Sequence, residues 1–312
     1  MMPFIVYNVN EFNEDTFMKR ILILLSTLLY PIYAATYLIP KDGDVIGSNY
    51  TVKAKHGDTF SSLAYRHDIG TLELEHANPG MVRLNEGAMV TIAKQFILPP
   101  KKYRKGIVLS MTEPRLYYFP ANSPFVMTYP VAMGRAGWRT PTMKTAVVKK
   151  AADPVWHVPK SIAENHYKNT GLQLPDIVPA GPNNPLGPFA LYLGKHNILI
   201  HGTNNQSKVG QFVSSGCVRM YNTDVQELYK LVKVGTAVTI LNHQYKVGRK
   251  GNELFLEVHK PVKSESPISP LNSVSVNELI YQYGGGKDIT INWARVKETL
   301  ANPTGLPEKI ST

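Results

Sequence analysis

Of 312 residues only one is cysteine. An internal disulfide framework is therefore impossible, and the one thiol, Cys217, stands alone. No two histidines stand in an HxxxH pattern and no His/carboxylate spacing matches a ligand set, which argues against a metal centre. No cofactor is implied either. Acidic residues are the scarcer charge: 23 Asp and Glu against 34 Lys and Arg, a net charge of +11. That balance favours an anionic setting such as a membrane surface, a cell-wall polymer or nucleic acid, or it is simply a solvated basic face. No dense Lys/Arg block resembles a nucleic-acid arm, so nucleic acid is not expected as a partner. No internal repeat is found.

What is present begins with Met18-Lys19-Arg20, then "ILILLSTLLYPIY", then Ala34-Ala35. A positive start, a short apolar stretch and a small-residue end are the layout of a secretory signal peptide. The stretch is shorter than the roughly 20 residues that span a bilayer. Glu11, Glu14 and Asp15 are out of place ahead of a signal, which puts the start at Met18 and makes 1–35 leader and signal, with cleavage near Ala34 or Ala35. No cysteine follows the stretch, as lipoprotein anchoring would need. The chain is expected to be exported, and one left-over cysteine in an exported chain reads as a free reactive thiol.

Three further segments follow. Residues 50–100 read as a compact β-α-α-β unit: strand "YTVKAKHGDTF", helices "SSLAYRHDI" and "TLELEHANPG", and a closing strand "GAMVTIAKQFILPP". Residues 105–262 are mostly β, with strands in "GIVLSMTEPRLYYFP", "FVMTYPVAMG", "ALYLGKHNILIHG", "GTAVTILNH" and "NELFLEVHKPV". Their one strong helix carries an apolar stripe of Val225, Leu228, Leu231 and Val232 behind a capping box at Thr223–Gln226. Residues 263–312 read as a linker, "KSESPISPLNS", and a small C-terminal subdomain whose helix "INWARVKETLA" packs its tryptophan onto the main body. The fold class expected is mainly β with α, an α+β protein.

The chemistry concentrates in "HGTNNQSKVGQFVSSGCVRM". A thiol needs a base, a positive neighbour or backbone donors to act as a nucleophile at neutral pH. His201 ends the apolar strand "NILI" sixteen positions before Cys217 and can be the base. Ser214, Ser215 and Gly216 are small enough for backbone N–H groups to approach a substrate carbonyl, as an oxyanion hole requires. Arg219 adds positive charge beside the sulfur and could hold a substrate carboxylate. It could equally be one half of a structural ion pair.

"IHGTNN…SSGCVRM" resembles the signature of the L,D-transpeptidase (YkuD) catalytic domain. The resemblance implies a β-sandwich-like catalytic domain with Cys217 as nucleophile, His201 as base, Gly202 as the residue whose carbonyl orients that base, and Arg219 as the family arginine. Ser215 departs from the second histidine that many members carry. "YTVKAKHGDTFSSLA" and "HANPG" resemble a LysM domain, a β-α-α-β module that binds N-acetylglucosamine-containing glycans. "TPT" at 140–142 and "PAGPNNPLGPFALYL" at 179–193 resemble a subfamily of exported Gram-negative enzymes with such a module in front. The resemblance implies acyl transfer in the periplasm. The carbonyl of diaminopimelate in a peptidoglycan tetrapeptide stem is attacked, D-alanine leaves, and an amine accepts the acyl group. The acceptor is left open among a second stem peptide, a protein such as an outer-membrane protein or lipoprotein, and a free D-amino acid, with water giving carboxypeptidase activity. A catalytically inactive peptidoglycan binder and an L,D-carboxypeptidase or cysteine peptidase are the alternatives. The module is expected to recruit the enzyme to glycan without sharing in the chemistry.

Overall fold

A computed structural model describes residues 35–260, 275–285 and 289–312. The expected signal peptide and the 263–273 linker lie outside the described residues, except for Ala35. The first strands are β1 (Ala35–Leu38), β2 (Val45–Gly47) and β3 (Tyr50–Lys53). Helices α1 (Phe60–Arg66) and α2 (Thr71–Ala77) follow, then β4 (Met89–Ile92) and β5 (Gln95–Ile97). β3 pairs antiparallel with β4, and β2 with β5. Thr59 caps α1 in a reciprocal box with Ser62. Leu63, Ala64, Ile69, Leu74, Val90 and Ile92 form the private core of this βααβ unit.

The middle of the chain supplies β6 (Gly106–Ser110), β7 (Arg115–Phe119), β8 (Phe125–Pro130), β9 (Met133–Gly134), β10 (Met143–Ala152) and β11 (Trp156–His157). Next come α3 (Lys160–Thr170), β12 (Ile177–Val178), β13 (Phe189–Leu193), β14 (Leu199–His201), β15 (Phe212–Ser214) and β16 (Val218–Arg219). Helix α4 (Asn222–Leu231) and β17 (Ala237–Leu241) complete it. Nine strands form one mixed sheet in the order β1-β8-β7-β6-β17-β10-β13-β14-β16. The fold is thus α+β and mostly β; its main element is a single curled sheet, so any sandwich-like closure comes from that curl.

Strand alternation shows how the sheet is covered. Side chains point to opposite faces in turn. Ile107, Leu109, Leu116, Tyr118, Val238 and Ile240 enter one core with Val225, Leu228 and Val232 of the α4 stripe. Val108, Tyr117, Phe119 and Leu241 enter a second core, built with Ile46, Phe96 and Leu98. The second face of the main sheet is therefore closed by the strands that flank the βααβ unit, and packing is continuous across residue 100.

α4 begins at Asn222, with Tyr221 at the N-cap and no side-chain cap hydrogen bond. This corrects the capping box read at Thr223: that residue lies inside the helix, and its Oγ1 donates to Asp224 Oδ1 at 3.2 Å.

The last elements are β18 (Tyr245–Lys250), β19 (Glu253–Val258), α5 (Val276–Gly284), α6 (Trp293–Ala301) and β20 (Glu308–Lys309). β18, β19 and β20 form one sheet. Val247, Leu254, Leu256 and Val258 pack on Ile280, Val296 and Ile310, so the C-terminal packing unit begins near Tyr245. Trp293 is 42% exposed; the helix is held instead by Val296, which corrects the expectation that the tryptophan anchors it.

Candidate active site

β14 and β16 are adjacent and parallel, with Ile200 opposite Val218 and His201 opposite Arg219. Cys217 immediately precedes β16. The sixteen-residue gap in sequence is thereby closed by one strand pairing.

His201 is buried, at 3% exposure. Its Nδ1 lies 2.7 Å from the Gly202 carbonyl oxygen. A carbonyl only accepts, so Nδ1 carries the hydrogen and Nε2 keeps the lone pair. Gly202 has a spatial reason to be glycine: a Cβ there would stand 2.5 Å from Asn222 Oδ1. That same oxygen accepts the Thr203 N–H at 2.8 Å. Asn222 therefore fixes the His-Gly-Thr turn from the first residue of α4. Burial, then the Arg219 charge, pushes the His201 imidazole down to about 3, against the pull of the Gly202 and Leu186 backbone oxygens. The free base is neutral at pH 7.

The nucleophile turn is held from within. Ser214 Oγ donates to the Cys217 carbonyl at 2.5 Å and accepts the Gly216 N–H at 3.2 Å. Thr140 Oγ1 donates to the Gly216 carbonyl at 2.8 Å and accepts the Gly134 N–H at 3.1 Å. Gly216 has φ +107°, a conformation in which a side chain is strained. One expectation changes here: the Gly216 amide, read as an oxyanion donor, donates to Ser214 Oγ inside the turn. The Cys217 amide has no acceptor among the described residues.

Cys217 is half-buried and free. Burial pushes its thiol above the ordinary value, while Leu199 backbone hydrogen bonding and the Arg219 charge act the other way. Thiol and imidazole are thus both neutral at pH 7, not an ion pair. Alkylation of Cys217 by iodoacetamide should accordingly keep accelerating from pH 6 to beyond pH 9. A rate that levels off below pH 7 would show a thiolate–imidazolium pair and refute this reading.

Two guanidinium groups flank the turn. Arg219 is fixed by reciprocal backbone bonds with Ala132 at 2.8 and 2.9 Å. Its buried Nε has no partner among the described residues, and the carboxylate partner of a structural ion pair is absent there. Arg135 donates to Ser215 Oγ and to Asn165 Oδ1, both at 3.1 Å, and lies over the Trp138 ring at 5.5 Å. Arg135 and Arg219 repel each other. Such a pair suits a substrate carboxylate. Arg135, Asn165, Leu199 and Asn222 were not singled out from sequence. The "GRAGWRT" turn, with two arginines and a tryptophan among small residues, was the signal available for Arg135.

Glu113, Glu257 and His259 bring ligand-type atoms within 4.8 Å of one another. Lys246 Nζ sits among them, 2.8 Å from Glu113 Oε2 and 2.5 Å from Glu257 Oε1, so this is an ion network and not a cation site. A cavity of about 230 Å³ lies between Leu72, Phe96, Phe212, His259 and Thr304; neither Cys217 nor His201 lines it.

The YkuD family, the L,D-transpeptidase catalytic domain, matches residues 104–240. The chain is 34% identical over 287 residues to ErfK/SrfK of Salmonella typhimurium, named a probable L,D-transpeptidase, covering 89% of this chain and 92% of that one. To ErfK/SrfK of Escherichia coli, named likewise, it is 34% identical over 310 residues, 95% of this chain and 98% of that one. To YcfS of Escherichia coli, also a probable L,D-transpeptidase, it is 36% identical over 266 residues, 82% of each chain. Since these relatives run along most of its length, and the matched domain contains His201 and Cys217, the chain belongs to the L,D-transpeptidase family.

Proposed function

We propose that this enzyme acts on peptidoglycan stem peptides by cysteine acyl transfer, with Cys217 as nucleophile, His201 as general base and acid, and Arg219 with Arg135 as the carboxylate clamp. The observation that carries the reading is the β14–β16 pairing, which sets His201 against Arg219, two residues past Cys217. Sγ attacks the diaminopimelate carbonyl and its proton passes to Nε2 of His201. The Cys217 N–H donates to the developing oxyanion, a contact typically worth about 10²–10³ in rate. D-Alanine departs with the proton from His201, leaving a thioester. An amine then attacks, His201 takes its proton, and the sulfur leaves as the thiol. A bound carboxylate would neutralise Arg219, one of the two causes that hold the imidazole low, and so ready His201 to take the proton.

The test is mass spectrometry of a soluble tetrapeptide muropeptide incubated with the enzyme and an amine acceptor. A transfer product with released D-alanine is expected. Free tripeptide acid alone would indicate a carboxypeptidase, and no turnover by folded protein would indicate an inactive binder. A stem-peptide amine, or a protein amine on an outer-membrane protein or lipoprotein, is the acceptor this reading calls for.

The βααβ unit is read as a LysM-like glycan-binding module, and the enzyme as periplasmic, exported by the leader. The exposed Gly57–Thr59 and Pro79–Gly80 turns would offer the glycan surface; Asn78 is engaged internally with Leu74 and Thr91. The enzyme should pellet with insoluble sacculi at high salt. Release by salt would assign wall attachment to the net charge of +11.

A further inference from the structure

The segment that joins His201 to Cys217 does not lie against the catalytic sheet alone. Between Thr203 and Gln211 its backbone carbonyls turn toward the βααβ unit. The Ser207 carbonyl accepts from Ser61 Oγ at 3.3 Å and the Val209 carbonyl from Thr71 Oγ1 at 3.2 Å. The Gly210 carbonyl accepts the Leu72 N–H at 3.3 Å. Gly210 and Gly70 meet back to back: a Cβ on Gly210 would come within 2.3 Å of Gly70 Cα, and one on Gly70 within 3.1 Å of Gly210 Cα. Beside this seam Tyr65 of α1 stacks edge-on against Tyr221, ring centroids 4.8 Å apart. Tyr221 is the N-cap of α4, next to the Asn222 that fixes the His-Gly-Thr turn.

The unit is itself pinned to the main sheet. Glu73 Oε2 accepts the Gly70 N–H at 2.6 Å. The same carboxylate takes Arg115 Nε at 2.8 Å and Nη2 at 2.7 Å. Arg115 is fully buried and lies over the Phe96 ring at 4.1 Å. A contact chain therefore runs from β7 through Glu73 to Gly70 and on to Gly210, seven residues before the nucleophile.

We propose that the βααβ unit is a positioning element of the active site, with Gly70, Thr71 and Tyr65 holding the 203–211 segment and through it the relation between His201 and Cys217. This replaces the division of labour in which the unit only recruits. The proposal rests on the reading of Cys217 and His201 as the reacting pair. Misplacement of a reacting group by about 1 Å can cost on the order of 100-fold in rate, so a contact outside the chemistry can still control it.

The test uses the full chain. Gly70→Ala needs no unusual backbone angle, since Gly70 has φ −76°; its new demand is space, 3.0 Å from Glu73 Oε2 and 3.1 Å from Gly210 Cα. Thr71→Val removes one hydroxyl donor at nearly constant volume, and Thr71→Ser restores it. For Gly70→Ala, kcat on a soluble muropeptide should fall about tenfold or more with KM within about threefold. Thr71→Val should fall less, and Thr71→Ser should recover. The rate and pH profile of Cys217 alkylation should change in parallel. If Gly70→Ala does not fold, Thr71→Val and its serine rescue decide the matter. Folded variants with wild-type kcat and wild-type alkylation overturn the proposal, as does a loss confined to KM. Alkylation needs no turnover, so a wild-type protein that transfers nothing would sink the functional reading while this readout still decides the present one.

Discussion

Cys217→Ala is expected to abolish transfer, with a fall in kcat of roughly 10⁴-fold or more, the scale seen when a covalent nucleophile is removed. No second thiol can substitute, because the chain has one. The fold should survive. The turn around residue 217 is held by Ser214, Thr140 and backbone groups, and the alanine variant gives up only the hydrogen bond between the thiol and the Leu199 backbone. Far-ultraviolet circular dichroism and Tm should match the parent while muropeptide transfer disappears. Transfer that persists in the folded alanine variant would sink the covalent mechanism.

The largest effect on stability should come from Lys246. Its side chain is 4% exposed. Nζ reaches the Ile97 carbonyl at 2.8 Å, Glu113 Oε2 at 2.8 Å, Glu257 Oε1 at 2.5 Å and Tyr117 Oη at 3.3 Å. Burial raises the Glu113 carboxyl in spite of Lys246. Burial would raise Glu257 too, but Lys246 and His259 outweigh it and hold that group low. In Lys246→Met two buried carboxylates lose their shared cation. Breaking such a network costs about 3–5 kcal/mol, against a typical total of about 5–15 kcal/mol. Thermal unfolding at pH 7 should drop by about 10 °C. The sign of the pH dependence follows from linkage. Without the ammonium, the folded-state carboxyls sit above their unfolded values, so the deficit is largest when they must ionise and shrinks as pH falls toward 5. An unchanged Tm at pH 7, or a deficit that does not shrink in acid, would show that Lys246 is not their counter-charge.

The parts of the site that were legible in sequence were those made conspicuous by rarity or by a strand boundary. A single cysteine beside Gly and Arg, and a histidine ending an apolar strand, announce themselves. Arg135, Leu199 and Asn222 do not, because their roles exist only once β14 and β16 pair and α4 starts beside them. The strands were readable from runs such as "GIVLS". What such a run hides is the identity of its two covers: Val108 meets Phe96 and Leu98, while Ile107 and Leu109 meet the α4 side. The domain boundary drawn near residue 100 came from a proline pair and a change of pattern, signals blind to packing across it. The capping box at Thr223 had the right letters two residues too late, the N-cap being Tyr221. The true first residue, Asn222, spends its side chain on Thr203. Trp293 was expected to pack onto the main body, yet Val296 does that work one turn further on.

The register of the central strands bears on how fast the chain can fold. β6 pairs in parallel with β17, Ile107 opposite Val238, although roughly 130 residues separate them. Parallel pairing across so long a loop is slow, because the closure entropy is lost before the contact forms. Until β17 arrives, β6 has only β7 beside it and its other edge is open to foreign strands. A chain emerging from its N-terminus completes the βααβ unit first and the centre of its main sheet late. Refolding should therefore be limited by the β6–β17 junction, and aggregation during that interval should nucleate at the buried run Gly106–Ser110.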